Sequence, residues 1–163
     1  KGTNGCGKST LLKLITTPKE QLGNLTYEGE LLIASNLTHS LVLQDTSFLS
    51  GTIRDYSFEV SADETRLKTI LRKMGFSKEN LDQDIASLSE GQKKCVLIAG
   101  SLCADANIYI WDEPLNYIDI YIRETIEEML ENADITMLFV EHDKAFTDKI
   151  SNNSYEIISA QNA

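Results

Sequence analysis

The sequence has no apolar run near the roughly 20 residues that a membrane-spanning helix needs, so no membrane insertion is expected. It opens on polar residues and glycines with no apolar stretch behind them, so no secretory signal is expected and a cytoplasmic location is. Positive charge is scarce: 15 Lys and Arg stand against 25 Asp and Glu, a net charge of −10. That balance argues against a general basic face for gripping nucleic acid; contact with RNA would need a local patch or a separate segment. Cysteine is scarce too. Cys6, Cys95 and Cys103 are odd in number and lack metal-ligand spacing, so Cys95 and Cys103 are expected as small buried apolar residues in a reducing compartment. Repeats and low-complexity tracts are missing, and two prolines leave no obvious linker.

The composition that remains is 42% hydrophobic and 25% charged over 163 residues, enough to bury the core of one domain. Helix and strand signals alternate, which predicts an α/β architecture. Residues 8–17 read as a helix ended by Pro18, and residues 30–33 and 40–43 as short strands. Leu67, Ile70, Leu71 and Met74 recur on one helical face until Gly75 stops it. Ser89 and Gln92 form a capping box for a helix that is apolar almost all round, and therefore buried. Residues 108–111 and 135–140 read as buried parallel strands, residues 119–130 and 143–150 as helices, and residues 155–158 as a last strand. Between Gln44 and Cys103 the chain is mainly helical.

Two motifs carry chemistry. Gly2-Thr3-Asn4-Gly5-Cys6-Gly7-Lys8-Ser9 fits G-x-x-x-x-G-K-[ST], a phosphate-binding loop. Glycines there let backbone N–H groups close on phosphate oxygens, and the helix that follows turns its positive end to the same anion. Lys8 would reach the β- and γ-phosphates, Ser9 would offer its hydroxyl to Mg²⁺, and Thr10 would add one near the α-phosphate. Asp112 and Glu113 end a buried strand, where ligands sit in open α/β sheets. Beside a phosphate loop, Asp112 fits a Mg²⁺ holder and Glu113 the general base that polarises water.

With those in place, further motifs resemble one family, the ATP-binding-cassette (ABC) ATPases. Leu88-Ser89-Glu90-Gly91-Gln92 is similar to the family signature, usually L-S-G-G-Q. Gln44 resembles the Q-loop glutamine, Asn116-Tyr117-Ile118-Asp119 a D-loop, and His142 the switch histidine. The resemblance implies a P-loop NTPase fold: a RecA-like core with a mainly parallel sheet (residues 1–44 and 104–163) and a helical subdomain carrying the signature (residues 45–103). It implies that Gln44 meets Mg²⁺ or the attacking water, and that His142 orients that water at the γ-phosphate. Ser89 and Gly91 would serve the ATP of a second ABC domain, so that turnover needs a pair; the resemblance also counts Gln92 and Asp119 among the nucleotide-binding residues. Glu90 departs from the usual glycine, so its carboxylate must point away or weaken that contact.

The Asp112–Asp119 run resembles the D-loop of ABC-F proteins, and Gly91–Lys94 with Leu138–Lys144 resembles the second ATPase domain of antibiotic-resistance members. These imply an ATP-driven ribosome binder acting by ribosome protection, with ATP and Mg²⁺ as cofactors. A membrane-transporter subunit stays open as the alternative, because Phe48–Ile53 is similar to exporter sequences. A third reading, a nucleotide-binding module without catalysis, is opposed by intact Lys8, Asp112, Glu113 and His142. Relative to the family, a strand before Gly2 and an adenine-stacking aromatic are missing. A partial domain with weak ATP binding and negligible turnover on its own is therefore expected.

Overall fold

The computed structural model describes residues 1–3, 5–18 and 21–158. Three parallel strands make the sheet, β1 (His39–Val42), β2 (Ile108–Asp112) and β3 (Met137–Val140), in spatial order β1-β2-β3. Val42 pairs with Trp111, and Asp112 with Val140, so the three strands end at nearly one level. β2 lies between the other two and is buried from Tyr109 to Asp112, which explains its continuous apolar sequence.

α1 (Lys8–Thr16) opens the chain. Between β1 and β2 lie α2 (Ile53–Glu59), α3 (Glu64–Lys73), α4 (Lys78–Asp82) and α5 (Glu90–Cys103). α6 (Ile120–Glu131) joins β2 to β3, and α7 (Lys144–Ile150) follows β3. α5 is the core helix: every residue from Lys94 to Ser101 is buried. α3 lays Leu67 and Leu71 against the same cluster, and Met74 ends it before Gly75. Phe146 of α7 meets Phe139 of β3 edge to face at 5.3 Å. The Arg123 guanidinium of α6 bonds Asp143, whose carboxylate also accepts from Phe146 N to cap α7.

Two expected strands are corrected. Residues 30–33 are not in a strand: Leu32 and Ile33 are exposed, and among the described residues no strand pairs with them. Residues 155–158 also lie outside the sheet; among the described residues they pair with Lys1, whose N–H meets the Tyr155 carbonyl and whose carbonyl accepts from Ile157 N at 2.7 Å. A strand needs a partner along its length, which apolar sequence alone does not supply. The strand expected over residues 135–140 is shorter, beginning at Met137. Cys95 and Cys103 are buried as expected.

Candidate nucleotide site

Parallel strands in register deliver their C-terminal residues to one place. Leu43 and Gln44 follow β1, Glu113 follows β2, and Glu141 and His142 follow β3. Across from them lies the loop before α1. Gly7, the N-cap of α1, sits at φ 99°, a left-handed conformation that a side chain would strain. Glycine also leaves α1 without a side-chain cap. Each other α-helix is capped by a side chain, from Thr52, Asp63, Ser77, Ser89, Asp119 and Asp143 in turn. The first-turn N–H groups of α1 are thus left to an anion.

Between loop and strand ends is a cavity of about 410 Å³, bounded by Gly5, Gly7, Lys8, Ser9 and Thr10 on one side and by Gln44, Glu113 and His142 on the other. Lys8 is buried, and its Nζ donates to the Gly2 and Thr3 carbonyls, each at 3.0 Å. Glu113 gathers the opposite wall. Its Oε2 accepts from Gln44 Nε2 at 2.9 Å and from Asn116 Nδ2 at 2.7 Å, while its Oε1 lies 3.4 Å from His142 Nε2. The Glu113 backbone has φ 47°, left-handed without being glycine.

The residues present fit Mg²⁺. Asp112 Oδ1 is buried and has no hydrogen-bond partner among the described residues, a costly arrangement that a cation would relieve. Ser9, Gln44 and Asp112 offer oxygen donors, which suit a hard cation. Among the described residues no cluster of three or more His, Cys, Asp or Glu could hold an ion unaided. A cation here would share its coordination with phosphate oxygens, as Mg²⁺ does with one or two carboxylates.

The remaining sequence-predicted residues lie elsewhere. Thr3 and Cys6 are in the loop but do not line the cavity, and Asn4 lies outside the described residues. Ser89 and Gln92 cap α5 reciprocally, Asp119 caps α6, and Gly91 packs under the Tyr117 carbonyl; none borders this cavity. The Glu90 carboxylate takes the Thr46 hydroxyl at 2.6 Å and the Lys93 ammonium at 2.9 Å. Those contacts hold its carboxyl below the usual range, the Thr46 bond chiefly.

Three neighbours of the site escaped the sequence reading. Asn116 closes a turn with Glu113, its N–H donating to the Glu113 carbonyl, and the signal for that turn is Pro114 at its second position. Glu141 ties two loops together, accepting from Leu115 N at 3.2 Å and from His142 N at 2.7 Å. Lys94 is fully buried on α5, and its signal was a lysine beside the apolar run Cys95–Ala99. Burial lowers its pKa, while the nearby carboxylates, Asp112 foremost, act in the opposite sense.

The chain is similar to known proteins in sequence and in fold. The chain matches the family described as "ABC transporter" over residues 1–116. It is 33% identical over 164 residues to YdiF of Bacillus subtilis, whose name describes an ATP-binding protein; the match covers 98% of this chain and 25% of YdiF. It is 29% identical to ABC transporter F family member 5 of Arabidopsis thaliana (96% of this chain, 23% of that protein). It is 28% identical to the ribosome protection protein VmlR of Bacillus subtilis (96% of this chain, 28% of that protein). The chain thus spans about a quarter of these relatives' length. Among solved structures, an RNase-L inhibitor superposes with a TM-score of 0.73 at 30% identity, covering 92% of this chain and 29% of that one. With these likenesses beside the fold and the cavity, the chain belongs to the ABC transporter family and is an ABC-F-like ATPase domain.

Proposed function

We propose that this chain binds Mg–ATP in the cavity beneath α1 and hydrolyses it when paired with a second ABC domain. The observation that carries the reading is Glu113, facing the phosphate loop and held there by Gln44, Asn116 and His142. Gly5, Gly7 and the open N-terminus of α1 would receive the phosphates, with Lys8 at the β- and γ-positions. Ser9, Asp112 and Gln44 would hold Mg²⁺, which would supply positive charge against the β- and γ-phosphates. Glu113 would accept the proton of the attacking water as its oxygen bonds to the γ-phosphorus and the bond to ADP breaks. His142, on the same carboxylate, would orient that water.

Ser89, Gly91, Gln92 and Asp119 lie away from the cavity, which fits a role toward the nucleotide of the opposing domain. Glu90, drawn to Thr46 and Lys93, is directed into its own chain rather than toward a partner's phosphates. Likeness to VmlR, and to an archaeal ribosome recycling factor solved with a ribosomal stalk protein (27% identity, TM-score 0.69, covering 93% of this chain and 30% of that one), supports the ribosome as partner and ribosome protection as the role.

The test is Glu113→Gln in the full-length protein. Turnover should vanish, nucleotide binding should survive, and the protein should co-sediment with ribosomes in ATP. Turnover undiminished by this change would overturn the assignment of Glu113. Absence of ribosome association under ATP-trapping conditions would defeat the ribosomal reading and favour the transporter subunit.

A further inference from the structure

We propose that Lys94 is a positioning residue for hydrolysis, fixing the backbone of Gln44 so that its side chain meets Glu113. The inference rests on the ATPase reading above. Lys94 is fully buried in the second turn of α5, and its ammonium donates to the Leu43 carbonyl at 2.7 Å and the Gln44 carbonyl at 3.1 Å. The β1–β2 register ends at Val42, so those carbonyls lie beyond the sheet ladder. Lys94 thus holds the chain where it leaves the sheet. Directly after this anchor, Gln44 Nε2 reaches Glu113 Oε2 at 2.9 Å. One helical turn earlier on α5, Glu90 accepts from the Thr46 hydroxyl at 2.6 Å. Gln44 is therefore bracketed by two ties to one helix, whose N-cap is Ser89.

Packing alone does not call for a cation here. Burying an ammonium is costly, and an apolar side chain of similar volume is often neutral or stabilising in such a place. Methionine would fill the stem's space but leave both carbonyls without their donor. The ammonium supplies two directed bonds from a core helix to a mobile type of segment, a loop. Any shift of α5 then moves Gln44 against Glu113, so the helix that begins at the signature motif reports directly to the general base.

The test uses the full-length protein with any second ATPase site silenced at its own catalytic carboxylate. Lys94→Met should lower kcat roughly tenfold while KM and the affinity for a fluorescent ATP analogue change less than about threefold. The melting temperature should fall by no more than a few degrees, because Leu43 and Gln44 are exposed and their carbonyls can turn to water. Lys94→Gln, which keeps two N–H donors, should recover most of the lost kcat. Adding Gln44→Ala to Lys94→Met should cost little more, because both act through one contact. Unchanged kcat in Lys94→Met, or full additivity with Gln44→Ala, would overturn the role of Lys94 alone. So would equal losses in kcat and binding with no recovery by Lys94→Gln, which would mark the residue as packing only. No turnover in the parent protein would overturn the ATPase reading and this inference with it.

Discussion

Ser101→Ala should destabilise the protein by about 2–3 kcal/mol, through hydrogen bonds rather than lost volume. Ser101 lies inside α5, facing the sheet, and its hydroxyl oxygen accepts from Trp111 Nε1 at 2.9 Å and from Ser40 Oγ at 2.8 Å. All three side chains are buried, Trp111 completely. Removing the hydroxyl leaves the indole N–H with no acceptor, a loss of about 1–3 kcal/mol for a buried donor. Ser40 can still turn to the Ser101 carbonyl at 3.5 Å, so its share is smaller, below about 1 kcal/mol. For a domain of this size each kcal/mol moves the melting temperature by about 2–4 °C, giving a fall of roughly 5–10 °C. Trp111 is the sequence's single tryptophan, so urea unfolding followed by its emission reads the perturbed site itself. The midpoint should fall with the slope unchanged. A loss below about 0.5 kcal/mol would show that this triad does not hold the strand that ends at Asp112, just before Glu113.

The remaining predictions test other parts of the site. Asn116→Ala removes a 2.7 Å bond to a carboxylate that also has Gln44; at about 1.4 kcal/mol for a partly solvated charged bond, kcat should fall about tenfold with ATP affinity retained. Burial pushes the Cys95 thiol up to about 12 and also raises Cys103. At pH 8 a thiol reagent should therefore count one cysteine, Cys6, in the native protein and three after denaturation, with Mg–ATP slowing the reaction of Cys6. A Cβ on Gly91 would collide with the Tyr117 carbonyl oxygen, so Gly91→Ala should cost about 1–3 kcal/mol of stability, read as a lower urea midpoint. An unchanged midpoint would mean that the D-loop moves aside freely.

Local chemistry was legible in the sequence, and long-range pairing was not. The start of α5 follows from Ser89 and Gln92, which form the reciprocal cap by their own spacing. The end of α3 follows from Gly75, whose φ of 86° few other residues adopt. α2 and α4 carry weak sequence signals, because their capping boxes use Asp55 and Asn80 where Glu or Gln is the usual residue. Glu30–Ile33 looked like a strand because apolar residues were present, but strand formation depends on a neighbour. Gln44 and His142 were found through family resemblance, whereas their meeting at Glu113 comes from the sheet register. Lys94 bonds a residue 51 positions away, and Glu141 one 26 positions away. No spacing rule reaches so far, so both residues surfaced only in three dimensions.

The left-handed backbone of Glu113 has a consequence for how this site persists. An L-residue other than glycine loses about 1–2 kcal/mol in that conformation, and Glu113 holds it at φ 47°. Glycine would relieve the strain and remove the carboxylate in one substitution. Thermal stability at this position is therefore a balance between backbone strain and the bonds that Gln44 and Asn116 give the carboxylate. Variants enriched for heat resistance should be sequenced first at residue 113, where glycine would appear if relieved strain outweighs the lost bonds from Gln44 and Asn116.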